Sequence, residues 1–403
     1  MGPSTDSERL RILTFTTLYP NAVRPQYSVF VENRLRHLLA SGEVSVRVLA
    51  PVPYFPFRSK RFGIYGSFAR VPRQDTRFGI EIDHPRYLAI PKLGMSAAPF
   101  LLYAGARRGL QRLLRAGHRF DLIDAHYFYP DGVAAVMLGR AFGLPVTITA
   151  RGTDVNLIPD YALPRRLILQ AARQADGVIA VSSALAGKLE KLGVERAGIT
   201  VLRNGVDPQM FQPVSPLGAG DGRPPRPLAV SVGNLVPLKG HDLAISALQE
   251  LPELTLWIVG AGPERSRLEA LTQRLGVGER VRFLGVVPHE RMAEVYSAAD
   301  VLVLASEREG WPNVLLEAMA CGARVVATNV SDVVDMINSP VAGAWVRERS
   351  AGSLAQALRN VLAQPVAPAE TRAHALGFTW DATTRGQIDL FREILRRRGA
   401  DGC

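Results

Sequence analysis

The sequence has few cysteines and no long apolar run, and both features exclude whole classes of protein. Only Cys321 and Cys403 are present, too few for the disulfide framework of a small secreted domain, so a reducing cytoplasm is expected. Since no run of about 18 apolar residues occurs, no transmembrane helix is predicted. Residues 1–9 are polar and show no apolar core of a signal peptide.

The common metal-binding motifs are missing as well. The chain has no Asp-x-Asp, and its histidines and cysteines are not grouped at the spacing of metal ligands. We therefore expect no cofactor and no metal-bridged diphosphate. Charge on a leaving phosphate would then be met by the protein's own cations and N–H donors.

Positive charge is present in excess and is concentrated in one half of the chain. Residues 1–206 contain 28 Lys and Arg against 15 Asp and Glu, whereas residues 207–403 contain 20 against 22. Such an excess suits nucleic acid, an anionic membrane or an acidic substrate. No nucleic-acid-binding module is found, and the basic residues lie among apolar and aromatic ones, as in residues 53–62. The pattern favours an anionic membrane surface and no nucleic acid.

The segment 100–115 allows two interpretations. Its leucines and Ala106 recur at helical spacing, and three arginines fall on another face. A helix of this kind can lie in a membrane interface. It can equally pack its apolar face into a core and expose a basic back to solvent.

A chain of 403 residues is expected to form two domains. Short apolar runs alternate with helical patterns from end to end, which predicts an α/β protein with parallel sheets and helical crossovers. Strands are predicted at residues 11–15, 44–50, 122–125, 145–150, 177–181, 199–202, 228–232, 254–259, 282–283, 301–304 and 324–327. Helices are predicted at residues 29–40, 100–116, 132–142, 164–175, 183–192, 241–251 and 378–397. The Pro- and Gly-rich stretch between Asn204 and Pro227 is the predicted linker.

Two glutamates, Glu309 and Glu317, stand eight residues apart in a run that joins two apolar strands. Pro312 suits the first turn of a helix, which places Glu309 in the preceding loop and Glu317 inside the helix. Free N–H groups of that first turn would attract a phosphate: those of Asn313, Val314 and Leu315. Carboxylates beside a phosphate site suit sugar hydroxyls instead. A nucleotide sugar offers both groups.

A second strand-to-helix turn carries Lys239, between Gly233 and the start of the next helix. A lysine there can reach a phosphate and neutralise the charge that develops on a leaving diphosphate. The downstream run from Gly260 to Gly262 has only part of a dinucleotide fingerprint, because Arg265 replaces the third glycine. A tight turn explains it.

In the first half, polar residues follow two predicted strands, at the edge where open α/β sheets bind ligands. His126 ends one strand, and Arg151 and Asp154 follow the next. His126 can hydrogen-bond a sugar hydroxyl or place the acceptor, although a lone histidine is often structural. Arg151 and Asp154 can contact substrate or form a structural salt bridge.

The Glu309–Glu317 spacing, with its flanking strands and the Glu-Ala-Met-Ala-Cys-Gly segment, resembles the E-x7-E motif of family 4 retaining glycosyltransferases of the bacterial cell-surface polysaccharide type. The resemblance covers nearly the whole chain. It implies a GT-B fold, in which two Rossmann-like domains hold parallel sheets that face each other across an interdomain cleft. It also implies an acceptor-binding domain at residues 1–205, joined by the last helix at about 378–403, and a nucleotide-sugar-binding domain at residues 206–377.

The family usually has a Gly-Arg-Leu-x-x-x-Lys-Gly turn, and its arginine stands where this chain has Asn234. Arginine and lysine both grip the diphosphate in the family, so this chain keeps Lys239 and lacks the second cation. Arg151 and Arg203 are candidates to compensate. The family's Gly-Gly loop after the first strand is also replaced here, by residues 24–30.

The resemblance implies transfer of a hexosyl unit from a nucleoside diphosphate sugar to a hydroxyl, with retained anomeric configuration and no metal. Glu309 would hold the donor sugar and Glu317 the ribose, while Lys239 and the helix N–H groups stabilise the diphosphate. With the basic first half, it favours a lipid-linked saccharide acceptor and a cytoplasmic enzyme peripheral to the inner face of the cell membrane.

Three other functions stay open at this point. The acceptor can be soluble, as in glycogen or sucrose-type synthesis. A dinucleotide-dependent oxidoreductase would also have two such domains, although the broken fingerprint at Gly260 argues against it. A nucleic-acid-binding role is motivated by the charge alone.

Overall fold

The structure is a computed structural model that describes three stretches of the chain: residues 9–89, 94–217 and 226–401. Some features discussed above lie outside the described residues: Cys403, the polar residues 1–8 and residues 218–225 of the linker. Cys321 is described and is a buried free thiol, and burial raises its pKa to about 12.

The chain divides into a first domain, residues 1–203 with 381–403, and a second domain, residues 204–380. The sequence analysis set the corresponding boundaries after residues 205 and 377. Each domain has its own buried core, and each is described by itself below.

The first domain contains an eight-stranded sheet and a separate pair of short strands. Its strands are β1 (Leu10–Phe15), β2 (Val44–Leu49), β3 (Val52–Pro53), β4 (Gln74–Arg77), β5 (Ile80–Asp83), β6 (Arg86–Tyr87), β7 (Leu122–His126), β8 (Val146–Ala150), β9 (Gly177–Ala180) and β10 (Ile199–Val201). The main sheet has the order β10-β9-β8-β7-β1-β2-β5-β4, and β4 is antiparallel to β5. At its centre Ile12 pairs with Val46 on one side and Leu122 on the other.

Helices cover this sheet because its central strands are apolar on both faces. β8, which reads Val-Thr-Ile-Thr-Ala, is buried throughout. The helices are α1 (Val29–Ala40), α2 (Gly63–Arg70), α3 (Gly94–Arg115), α4 (Val133–Phe142), α5 (Thr153–Asn156), α6 (Ala162–Gln174) and α7 (Ser183–Leu192).

The second domain contains a parallel sheet of six strands. These are β11 (Leu228–Val232), β12 (Thr255–Val259), β13 (Val281–Gly285), β14 (Val301–Leu304), β15 (Arg324–Thr328) and β16 (Gly343–Val346), in the order β13-β12-β11-β14-β15-β16. The remaining helices are α8 (His241–Ala247), α9 (Arg265–Arg274), α10 (Met292–Ala298), α11 (Asn313–Ala320), α12 (Val333–Met336), α13 (Ala351–Ala363), α14 (Pro368–Ala375) and α15 (Trp380–Asp401). The predicted α/β fold with two parallel-sheet domains is confirmed.

Helix α15 begins at Trp380, and from Asp381 onward it belongs to the first domain. Ile388, Phe391 and Ile394 are buried in the first core. Between α15 and the sheet lies a buried polar chain. The Gln387 amide donates to Asp124 Oδ2 at 2.8 Å and accepts from Arg34 Nε at 2.8 Å. These bonds compensate the cost of burying both charges.

The structure decides between the two interpretations of segment 100–115. Leu102, Ala106 and Leu110 are fully buried within the first domain, whereas Arg108 and Arg112 are exposed. Helix α3 is therefore a core helix with a solvated basic back, and the membrane-interface interpretation of this helix is wrong. Among the described residues no helix combines the length and apolar character needed to cross a bilayer.

Several short strands were missed by the sequence analysis. β4 reads Gln-Asp-Thr-Arg and has no apolar alternation that could mark it as a strand. Pairing with β5 supplies its structure, and Arg47 of β2 adds side-chain bonds to Asp83 of β5. The missed strands are β3, β4, β5, β6 and β16.

Replacing the amide that bridges Arg34 and Asp124 should destabilise the first domain. We expect Gln387→Leu to lower the free energy of unfolding by about 2–4 kcal/mol, because two buried charged groups each lose a hydrogen bond. Denaturant unfolding measures this. Arg385→Leu, at an exposed position of the same helix, is the control and should change stability by under ~0.5 kcal/mol. Equal effects of the two changes would contradict the bridging role.

Candidate functional site

The loop between β14 and α11 holds Glu309 in a defined position. Ser306 is fully buried, and its hydroxyl donates to Glu309 Oε1 at 2.7 Å. The Thr328 hydroxyl at the end of β15 donates to the Ser306 carbonyl at 2.6 Å, and the Ser331 hydroxyl donates to the Gly310 carbonyl at 2.6 Å. The loop is therefore ordered by its neighbours before any ligand binds.

Lys239 lies beside this carboxylate. Its Nζ is 2.6 Å from Glu309 Oε1, and both side chains stay partly exposed, at 23% and 13%. The lysine ends a short turn after β11 and is followed by Gly240, whose φ is +65°. A Cβ at residue 240 would lie 2.2 Å from the Ala305 carbonyl oxygen. Glycine is required there, because only the missing side chain lets the two loops meet.

An arginine that the sequence analysis missed lies in the same place. Arg349, just after β16, donates from Nε to the Ala305 carbonyl at 2.8 Å. Its Nη2 would be 2.9 Å from a Cβ built at Gly240, so its charge sits close to the lysine turn. Arg349 is 110 residues from Lys239 in sequence, and no local motif marks it. Only the order β14-β15-β16 brings it near.

The predicted helix N-terminus needs correction. Helix α11 begins at Asn313, so Pro312 precedes the helix. The Asn313 N–H donates to the Trp311 carbonyl at 3.0 Å, and the Leu315 N–H donates to the Pro312 carbonyl at 3.1 Å. The tight turn of the chain at Trp311 and Pro312 consumes these two donors. In the described part of the chain, only Val314 of the three keeps an N–H without a backbone acceptor.

Glu317 lies inside α11, as predicted, and is half-buried. Its Oε2 accepts a 2.9 Å hydrogen bond from the hydroxyl of Tyr296, a fully buried residue of α10. Burial raises the pKa of Glu317, while His289 and the Tyr296 hydroxyl oppose the rise. The ring of Phe211 contacts both His289 and Tyr296, at centroid distances of 5.3 and 6.1 Å. Glu317 therefore lies against an aromatic cluster, whereas Glu309 lies beside a lysine.

The glycine turns after β11 and β12 pack against each other. A Cβ at Gly260 would lie 1.9 Å from the Gly233 carbonyl oxygen, and one at Gly262 would lie 2.3 Å from the Leu235 carbonyl oxygen. The Gly-x-Gly of β12 is therefore explained by close backbone approach. Asn234, between these turns, is exposed.

His126, Arg151 and Asp154 of the first domain come together at the ends of β7 and β8. His126 is fully buried, with Nε2 3.2 Å from Asp124 Oδ2, and Arg151 donates from Nη2 to its Nδ1. Burial lowers the pKa of His126 to about 4, so the ring is neutral at pH 7. Because its Nδ1 is bonded to the guanidinium, His126 acts here on the position of Arg151. A direct contact with substrate stays a prediction.

Asp154 is fully buried and receives backbone N–H groups. Phe128 donates to it at 2.8 Å and Gly152 at 2.7 Å, which ties the loop after β8 to the loop after β7. The Arg151 guanidinium lies 5.4 Å from the centroid of the Phe30 ring. The contacts of Asp154 are therefore those of a structural residue, and they involve the Arg151 backbone N–H.

Asp131 is a buried carboxyl that sequence reasoning missed. It accepts hydrogen bonds from the Thr17 N–H at 2.6 Å and from the Thr16 and Thr17 hydroxyls at 3.2 and 3.0 Å. Burial nevertheless raises its pKa to about 7. Two threonines directly after β1 are the sequence signal that could have marked this strand end.

Two family models match the chain: "Glycosyltransferase Family 4" over residues 28–210 and "Glycosyl transferases group 1" over residues 221–376. TuaC of Bacillus subtilis, a candidate teichuronic acid biosynthesis glycosyltransferase, is 31% identical over 361 residues, which cover 87% of this chain and 88% of that protein.

Solved structures share the fold. A sucrose-phosphate synthase from Thermosynechococcus elongatus superposes with a TM-score of 0.78 at 21% identity, covering 96% of this chain and 100% of that one. HepE of Anabaena in complex with UDP gives a TM-score of 0.69 at 19% identity, covering 96% and 100%.

The chain belongs to glycosyltransferase family 4. It is a glycosyltransferase with the GT-B fold, as the Glu309–Glu317 motif and the two parallel-sheet domains predict. This membership decides against the dinucleotide-dependent oxidoreductase and the nucleic-acid-binding protein.

Asp131 gives a testable dependence of stability on pH. Its pKa of about 7 in the folded protein lies above the ordinary value of 3.8, so folding favours the protonated form between these values. Wild-type stability should fall, relative to Asp131→Asn, as pH rises from 4 to 7. The full difference is at most about 4 kcal/mol. Denaturant unfolding at several pH values measures it.

The comparison needs a second carboxylate as control. Asp160→Asn removes an exposed aspartate of the same domain and should leave the pH dependence of unfolding unchanged. If wild type and Asp131→Asn keep a constant difference from pH 4 to 8, Asp131 does not titrate in this range.

Proposed function

We propose that this glycosyltransferase moves a hexosyl unit from a nucleoside diphosphate sugar to a hydroxyl of a lipid-linked saccharide, with retained anomeric configuration and without a metal ion. The observation that carries the proposal is the 2.6 Å contact between Lys239 Nζ and Glu309, beside the start of α11. A cation for the diphosphate and a carboxylate for sugar hydroxyls lie there in one place.

Positive charge at this position supports a leaving diphosphate. Arg349 donates to the Ala305 carbonyl, which Gly240, the residue after Lys239, also approaches, and the Val314 N–H is a further donor. Arg349 supplies the second cation that Asn234 does not, and it does so within the second domain. Because these groups are ordered before the reaction, they stabilise the phosphate charge as it develops. That supply of charge, with no Asp-x-Asp in the sequence, supports transfer without a metal.

Glu317 is assigned to the ribose. Tyr296 holds Oε2 at 2.9 Å, and Oε1 has no hydrogen-bond partner among the described residues. A carboxylate oriented in this way can accept hydrogen bonds from vicinal hydroxyls.

In the proposed reaction the bond between the anomeric carbon and the phosphate oxygen breaks as the acceptor oxygen bonds to that carbon from the same face. The proton of the acceptor hydroxyl passes to the leaving phosphate. No protein nucleophile is needed, and the hydrogen bond from Ser306 to Glu309 keeps this carboxylate in place on the sugar hydroxyls.

The acceptor belongs to the first domain in this proposal, and the enzyme is cytoplasmic and peripheral to the inner membrane face. The segment from β3 into the first turn of α2 exposes Phe57, Ile64 and Tyr65 beside the exposed cations Lys60 and Arg61. Aromatic and basic side chains together suit an anionic membrane interface. The name of the Bacillus relative also points to a cell-surface polysaccharide.

A soluble acceptor is the second candidate, because the sucrose-phosphate synthase shares the fold. Binding to vesicles separates the two. Association with phosphatidylglycerol vesicles that weakens in Phe57→Ser supports the membrane-bound acceptor, and its absence supports the soluble one.

Nucleotide binding is tested first by thermal stabilisation with UDP, GDP, ADP, their common sugar conjugates and NADH. We expect one nucleoside diphosphate to raise the Tm, since a ligand at 100 times its Kd adds about 2.7 kcal/mol. Glu317→Ala should lose most of this effect, because it removes the ribose contact. Glu253→Ala, an exposed position of the same domain, should keep it. Stabilisation by NADH alone would overturn the proposal.

Lys239→Ala should lower kcat for donor cleavage by a factor of about 10²–10³, the size seen when one group that stabilises developing charge is removed. Release of the nucleoside diphosphate from the donor found above, in buffer containing EDTA, measures it. The exposed Lys191→Ala is the control and should react at the wild-type rate. Full activity of Lys239→Ala would remove Lys239 from the mechanism.

A further inference from the structure

Two cavities adjoin each other in the first domain, and both open at the carboxyl ends of strands. The smaller has a volume of about 160 Å³ and the larger about 320 Å³. Tyr87, the last residue of β6, lines both of them. Neither cavity is lined by a residue to which the proposed function gives a role.

The smaller cavity is polar and has a fixed cation. Arg24 lines it, with its guanidinium 3.7 Å from the centroid of the Tyr27 ring. Asn21 and Thr17 add polar groups to the wall. His84 lines it as well, but burial lowers the pKa of that imidazole, so Arg24 provides the charge. Aromatic rings, amide and hydroxyl groups and one guanidinium are the groups that bind a saccharide or phosphate.

The larger cavity is apolar. Leu88, Met95 and Leu101 line it, together with the rings of Tyr127 and Tyr129. The Tyr129 hydroxyl donates to the Met95 carbonyl, so the polar atom of this wall residue already has a partner. Its volume lies within the ~300–1,000 Å³ of small-molecule sites. An uncharged, carbon-rich ligand is the chemical class that fits.

The rim of the larger cavity exposes apolar side chains to water. Leu88 is 55% exposed and Met95 is 40% exposed. An apolar occupant would remove this surface from water, which is favourable in proportion to the area covered. A polar occupant would gain nothing from these residues.

The candidate acceptor residues lead directly to this cavity. Tyr127 follows His126 in the chain and has a φ of +92°, a conformation that non-glycine residues rarely adopt. The backbone there turns the Tyr127 side chain into the wall of the apolar cavity, one residue beyond the His126–Arg151 contact.

We propose that the acceptor is a single amphipathic molecule, whose polar head binds in the Arg24–Tyr27 cavity and whose apolar chain binds in the Leu88–Tyr129 cavity, with Tyr87 between them. This inference rests on the proposed lipid-linked acceptor. It places the apolar chain of the acceptor in a protein pocket, whereas the exposed Phe57 segment would contact the bilayer.

Short alkyl glycosides and phosphates test the pocket without knowledge of the acceptor. Isothermal titration with n-decyl β-D-glucoside and n-decyl phosphate, below their critical micelle concentrations, is compared with methyl β-D-glucoside and inorganic phosphate. At least one decyl compound should bind tenfold or more tightly than its chainless counterpart. Equal affinity with and without the chain in both pairs would overturn the proposal.

Two substitutions on α3 provide a matched pair. Ala98 lines the apolar cavity, and Ala98→Trp should fill it and reduce decyl binding at least tenfold. Ala104→Trp places the same side chain at an exposed position of the same helix and should leave binding unchanged. If Ala98→Trp unfolds, Leu88→Asp at the exposed rim replaces it, with Phe100→Asp as control. Equal binding by the two members of a pair would also overturn the proposal.

The thermal shift with nucleoside diphosphates distinguishes failure of the acceptor site from failure of the proposed function. A protein that binds a nucleotide but no alkyl chain keeps the glycosyltransferase function and refutes the apolar acceptor site. A protein that binds no nucleotide refutes the proposed donor chemistry, whatever the alkyl compounds do.

Discussion

The first domain depends on one buried carboxylate, that of Asp124. It accepts hydrogen bonds from the Thr147 hydroxyl and the Gln387 amide at 2.8 Å each, and it lies 3.2 Å from His126. Through these partners it joins the central strand β7 to β8, to the C-terminal helix and to the histidine that positions Arg151. A buried charge is stable only when its hydrogen bonds are complete. The Asp124 carboxylate therefore both holds α15 on the sheet and fixes the geometry of the candidate acceptor site.

In the second domain, the central feature is a cation held next to a carboxylate. Close contact of Gly240 with the Ala305 carbonyl brings two loops together, and the Ser306 hydroxyl fixes Glu309. Lys239 Nζ then lies 2.6 Å from Glu309 Oε1. In the proposed reaction the same preorganisation serves the leaving diphosphate, because groups that are already oriented need not rearrange as charge develops.

Strongly periodic segments were predictable, and so was the motif that carries the chemistry. β1, β7 and β14 are apolar runs that the structure confirms within one residue at each end, and Glu309 and Glu317 lie outside and inside α11 as expected. Weakly patterned segments failed. β4 has no apolar alternation, and the turn at Trp311 and Pro312 consumed N–H groups that a simple helix start would leave free. In both cases backbone pairing over a short distance outweighed the local signal.

The sequence by itself determined the two-domain α/β architecture and the family, and it marked Lys239 and Glu309 as candidate site residues. It could do so because apolar periodicity and glycine turns are local properties of the chain. The tertiary structure alone decided which distant groups share a site. Arg349 reaches Ala305 through the order of strands in the sheet, and Tyr87 separates two cavities whose walls come from seven different segments. Such proximity depends on packing between elements far apart in sequence, which no local pattern records.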